Sequence, residues 1–220
     1  MFEKEPKEER SARQAIRILD KIIASNESIF NAVEKAKKRA EKLSSEKTRE
    51  RRTVQLIIMH YSNMCAVGGG ASGIPGMIPG VGTILSIFGA GALDSMIALK
   101  YEIEMVFALS HFAGIDITDL RERKIAYLLA CASLEEAYET EREPNIKGII
   151  DLAVNEYSTR ELSKSIIKVL ARVIVMFGAK RWVRFFPFVG MAIGASINKV
   201  LSLHMGYEAW QAIKRRRSDG

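Results

Sequence analysis

The sequence predicts an all-α fold: one compact domain of about seven to nine helices, with a Gly/Pro-rich apolar hairpin among them. Three observations carry this. Apolar residues recur at spacings of three and four in almost every segment outside one glycine stretch. No segment alternates with period two for long enough to make a strand. At 220 residues the chain can bury a sizeable core and still be one domain.

Near the start, Ile16, Leu19 and Ile23 share one helical stripe, and after the "SNES" break Ile29, Val33, Ala36, Ala40 and Leu43 share another. The spacing predicts two helices packed as a hairpin, the second N-capped by Ser25 or Asn26. The seam is about two heptads, too short for a coiled coil, and the flank "EKAKKRAEKLSSEKTRERR" reads as a solvated face. Residues 1–52 are therefore expected to form a charged N-terminal hairpin, joined in one folding unit with a helical domain over 53–220.

The polarity changes after Arg52, because Thr53 to Leu93 is 41 residues without Asp, Glu, Lys or Arg. Within it, "VGGGASGIPGMIPGVGTILSIFGAGALD" holds nine glycines and two prolines. A phosphate loop would need a lysine that the stretch lacks, a dinucleotide fingerprint would follow a strand, and "GGASG" precedes a Gly-Ile-Pro loop rather than a helix. Two readings stay open, a close-packed helix corner and a membrane-inserting hairpin. The apolar arm 81–99 would be roughly 28 Å long, near a bilayer's hydrocarbon thickness, whereas the arm 53–67 falls short, so insertion would be re-entrant. The corner would use Gly73, Pro75, Pro79, Gly80, Gly82, Gly89 and Gly91. It would also use Pro187, Gly190 and Gly194, since "PGVGTIL" and "PFVGMAI" share a Pro-x-Val-Gly pattern at a helix start. The packed corner is expected at rest, with insertion as a triggered state. Asp94, an acid in an apolar helix, reads as a buried switch or as one half of a pair with Arg181, Arg184 or Lys199.

Further on, "GIDIT" predicts a glycine C-cap near Ala113 and Thr118 as the next N-cap. "SLEE" fits a capping box of Ser133 with Glu136, and "EREPN" a break. From Thr159 a helix places Ile166, Ile167, Val169, Leu170, Val173, Ile174 and Phe177 mostly on one side, ending at Gly178. Opposite them Arg160, Lys164, Lys168 and Arg172 recur at steps of four. A last helix from about Val189 carries Ile193, Ile197, Val200, Leu201 and Tyr207 on one stripe and closes with "KRRRSDG".

The net charge of +7 is uneven, at +5 over residues 1–60, −7 over 61–159 and +9 over 160–220. Terminal basicity suits nucleic acid or anionic lipid. The stripe Arg160, Lys164, Lys168 and Arg172, continued by Lys180, Arg181 and Arg184, is the candidate lipid-contact surface, with Trp182 as an interfacial anchor. Phe185 and Phe186 add to a pattern that a stacking site for nucleic acid would also show, the less favoured reading. His60, His111 and His204 have no metal-type spacing, and His204 falls on the apolar stripe of the last helix. Cys65 and Cys131 read as buried thiols of a reducing compartment. No secretory signal is read at the charged N-terminus, so a cytoplasmic location is expected.

The stretch leading through "DSMIALKYEIEMVFALSHFAGIDITDLRERKIAYLLACAS" (94–133), followed by "FPFVGMAIGASIN" (186–198), resembles the EcsC family of bacterial proteins. The resemblance covers roughly residues 60–205. That family is named for a protein encoded beside ABC-transporter components. The resemblance implies a helical, membrane-associated or membrane-adjacent protein and transfers no catalytic residue. The expectation is a non-enzymatic protein without cofactor or metal. It would be peripheral to or partly inserted in the inner membrane, docking by the basic helix and then inserting the hairpin Ala66–Leu93. The alternatives are a soluble helical adaptor with a protein partner and a membrane-disrupting, pore-forming effector.

Overall fold

The computed structural model describes residues 6–68, 90–138, 158–178 and 191–218, which form seven α-helices and no strand. They are α1 (Lys7–Ile22), α2 (Asn26–Ala40), α3 (Glu46–Gly68), α4 (Ala90–Phe112), α5 (Leu120–Tyr138), α6 (Thr159–Gly178) and α7 (Met191–Ser218). The all-α expectation holds. At the centre stands α4, which touches each of the other six helices. Every residue from Glu102 through Ser110 is buried, as a helix enclosed on all sides requires. One continuous core runs from Ala12 in α1 to Ile213 in α7.

Local chemistry fixes several helix ends. The Ser25 hydroxyl accepts from the Ser28 N–H at 3.3 Å and caps α2. Ahead of α6, Ser158 and Glu161 form a reciprocal capping box: the Ser158 N–H donates to Glu161 Oε2 at 2.7 Å, and the Glu161 N–H to Ser158 Oγ at 3.3 Å. At the end of α4, Gly114 adopts φ +87°. Its N–H donates to the His111 carbonyl at 3.0 Å, and Ile115 N–H reaches the Ser110 carbonyl at 2.9 Å, closing a Schellman motif.

Several sequence expectations need correction. Asp119, not Thr118, caps α5: its Oδ1 accepts from the Arg121 and Glu122 N–H groups at 2.9 Å each, while Thr118 donates to Asp116. The "SLEE" segment starts no helix, because α5 runs through it to Tyr138. Helices α1 and α2 do not pack as a hairpin. α1 lies on α6 and α4, and α2 on α3 and α4. Each buries its apolar stripe in the core against different helices, and the Ala24 N–H between them donates to Glu104 Oε1 of α4 at 2.6 Å, which ties their junction to the central helix. Since α3 starts at Glu46, residue 52 falls within a helix. Finally, α7 buries Ser202, Met205, Ala209, Trp210, Ala212 and Ile213, leaving Val200 64% and Tyr207 43% exposed with His204 beside them. Close approach of α3 selects that face. A Cβ on Gly206 would lie 2.8 Å from Ile58 Cγ2 and 2.9 Å from Met105 Sδ, so only glycine lets the three helices meet there.

Candidate functional site

Helix α6 is amphipathic as its sequence predicts. Leu162, Ile166, Val169 and Leu170 are buried, while Arg160, Lys164, Lys168 and Arg172 are all exposed. Lys180, Arg181, Trp182 and Arg184 lie outside the described residues, as do Gly73, Pro75, Pro79, Gly80, Gly82, Gly89, Pro187 and Gly190. Gly91 and Asp94 fall near the start of α4 and Gly194 near the start of α7. The Asp94 side chain lies outside what is described, as do Arg181 and Arg184, while Lys199, the third candidate partner, lies half-buried in α7. The arm 53–67 belongs to α3, whose Val54, Ile57, Ile58, Tyr61 and Cys65 face the core. From the other arm Met96, Ile97 and Leu99 are buried as well. Among the described residues no helix is long and apolar enough to cross a membrane.

Beside the basic stripe, α1, α5 and α6 enclose an open cavity of about 320 Å³ that the sequence did not disclose. Arg13 and Arg17 come from α1 and Arg123 and Lys124 from α5, which among the described residues sets four basic side chains against the carboxyl of Asp20. Ile16, Leu120, Ile166 and Ile167 supply an apolar lining. Arg123 is held in place, its Nη1 donating to Asn26 Oδ1 at 2.9 Å and its guanidinium standing 4.5 Å from the Phe107 ring centroid. Burial pushes the Asp20 carboxyl up, and the nearby Arg123 charge and the Tyr127 hydroxyl, 3.5 Å away, oppose that. The signal for this site was split among "RSARQAIR", "LRERK" and the apolar face of α6, which only the packing brings together.

A second polar cluster is closed. Where α3, α4 and α7 meet, the Ser202 hydroxyl donates to Cys65 Sγ at 3.5 Å, and the Cys65 thiol lies 3.8 Å from Glu102 Oε1 and from the Ala98 carbonyl. Glu102 is buried, and among the described residues its Oε2 has no hydrogen-bond partner, nor has the buried Ser62 hydroxyl. Burial pushes the Glu102 carboxyl up to about 7, with Ser202 and Cys65 opposing the shift. The same burial, helped by the Glu102 charge, pushes the Cys65 thiol up, the reverse of what activates a nucleophile. One turn along α4, Lys100 Nζ pairs with Glu104 at 2.7 Å and lies 3.9 Å from the Tyr101 ring centroid. In the sequence this pair lies within "KYEIE". The clue was that its neighbours on every side are apolar. Ser202 and Gly206, four apart, carried a second clue to close helix packing.

Neither cysteine is in a disulfide, and both are buried. His111 stacks on Phe30 at 3.9 Å and His60 packs edge-on to Tyr61 at 4.9 Å. Burial pushes both imidazoles down. The described residues include no group of three or more His, Cys, Asp or Glu that could hold a metal ion. Chemically, the open region can attract anions and the closed junction can hold a proton. Compared with protein-family models, with curated proteins and with solved structures, the chain matches none.

Proposed function

We propose that this chain is a non-enzymatic helical protein that docks on the anionic inner face of a membrane through α6. The observation that supports the reading is the exposed row Arg160, Lys164, Lys168 and Arg172, set opposite a buried apolar face. A basic residue held near an anionic bilayer contributes about 1 kcal/mol, so four act together as a weak, salt-sensitive anchor. Docking would bring the hairpin 66–93 to the surface, where insertion follows as a triggered step. Membership of the EcsC family and a cytoplasmic location belong to the same proposal.

The test is flotation with vesicles of phosphatidylcholine, with and without phosphatidylglycerol, at low and high salt. Binding should need the anionic lipid and fall with salt. Reversing Arg160, Lys164, Lys168 and Arg172 to Glu should abolish it without loss of helicity. Binding of the wild-type chain that ignores both lipid charge and salt rejects the docking step.

A further inference from the structure

We propose that the cavity between α1, α5 and α6 binds one anionic amphiphile, a phosphate monoester whose head meets Arg13, Arg17 and Lys124 and whose apolar chain lies on Ile16, Ile166 and Ile167. The volume, about 320 Å³, falls at the lower end of small-ligand sites, which pair an apolar lining with a few placed polar groups. The lining divides in that way. Among the described residues its basic part, Arg13, Arg17, Arg123 and Lys124, outnumbers the single Asp20, an excess suited to a head that carries about −1.5 to −2 at neutral pH. Arg guanidinium groups match phosphate oxygens in pairs, which favours this head over a neutral one.

Within the set the residues divide their work. Arg123 is held by Asn26 and by the Phe107 ring, and beside it Asp20 accepts from the Tyr127 hydroxyl. That arrangement forms one fixed wall. Arg17 is exposed, and Arg13 and Lys124 also interact with other groups of the protein. Leu120, 59% exposed, extends the apolar lining towards solvent, where a chain longer than the cavity would continue. Arg160, Lys164 and Lys168 do not line the cavity, so the site goes beyond the docking reading and does not depend on it.

Isothermal titration of the full chain with octyl phosphate below its micellar concentration tests the proposal, with inorganic phosphate and the uncharged octyl glucoside as the other arms. Octyl phosphate should saturate a single site and bind at least about tenfold more tightly than either control, each of which offers half of the recognition. Arg17→Glu with Lys124→Glu should weaken it by about tenfold or more, the loss of one or more charge-assisted hydrogen bonds. The milder Arg17→Gln provides a second variant that leaves an exposed position uncharged. Reversing Arg160, Lys164 and Lys168 should change octyl phosphate affinity by less than about twofold while removing vesicle binding, which separates this site from the docking stripe. Inorganic phosphate binding as tightly would make the site a simple anion site, and octyl glucoside binding as tightly would make it an apolar cleft. Either result, no binding of octyl phosphate, or binding indifferent to both Arg17 variants overturns the proposal.

Discussion

The cavity of α1, α5 and α6 and the junction of α3, α4 and α7 both set polar groups against apolar helix faces, and they do so under opposite conditions. In the open cavity Arg13 and Arg17 are exposed and Arg123 and Lys124 half-buried, so long side chains of this kind can cover apolar surface with their charges near water. At the closed junction Glu102 is buried, with one oxygen that has no partner among the described residues, so burial favours its neutral form. The difference lies in access rather than residue type. Charge at the cavity remains available to a ligand, whereas ionisable groups at the junction act on the fold itself. The two regions should therefore answer mutation differently: the junction in stability, the cavity and the α6 stripe in binding.

The largest expected effect falls on the buried pair. Lys100→Met removes the cation from Glu104, whose Oε1 also accepts the Ala24 N–H, and should cost about 3–5 kcal/mol in urea unfolding. Adding Glu104→Gln should restore part of that loss, because the amide oxygen still accepts from Ala24 without carrying a charge. Equal stability of Lys100→Met and wild type would show that the pair is not closed to water.

The Glu102 carboxyl comes next. Folded, it keeps its proton up to about 7, against the ordinary 4.5. Between those values the folded state binds more protons than the unfolded state, so stability falls as pH rises, and the loss is complete above about 7. Glu102→Gln should remove this slope, gaining on the order of 3 kcal/mol over wild type between pH 4.5 and pH 8. A wild-type profile that parallels the variant across this range would remove the neutral carboxyl from the account.

Gly206→Ala should cost on the order of 1–3 kcal/mol, since the new methyl meets Ile58, a fully buried branched side chain, while Met105 can give way. An unchanged melting temperature would place the helices further apart than described. At the small end, Arg160→Ala, Lys164→Ala and Lys168→Ala together should shift stability by no more than about 0.5 kcal/mol, as exposed positions usually do, while weakening vesicle binding. A large loss of stability there would erase the contrast between the two regions.

Much of the helical fold was legible because the signals are local. The apolar period of α6, the Ser25 cap and the Gly114 stop each depend on residues within a turn or two, and each took the form expected. The N-terminal hairpin was misread because its two helices bury their stripes against different helices, and the bond that ties their junction to α4, Ala24 with Glu104, joins residues 80 positions apart. The face of α7 was misread for a related reason. Val200 and Tyr207 make an apolar stripe, but packing favoured the narrow side with Ser202 and Gly206, where α3 could approach more closely.

The sequence by itself determined the helical class, the exposed basic row on α6 and several of the helix ends, since periodicity and capping act over a few residues. Only the tertiary structure decided which helices share the core and which charges meet. It placed Arg13 and Arg17 beside Arg123 and Lys124, and enclosed Glu102 between Cys65 and Ser202. The physical reason is that burial and electrostatic environment are properties of neighbours in space. A glutamate in an apolar stretch becomes a proton-holding group only when three helices remove water from around it, and four scattered cations become a site only when three helices hold them around one cavity.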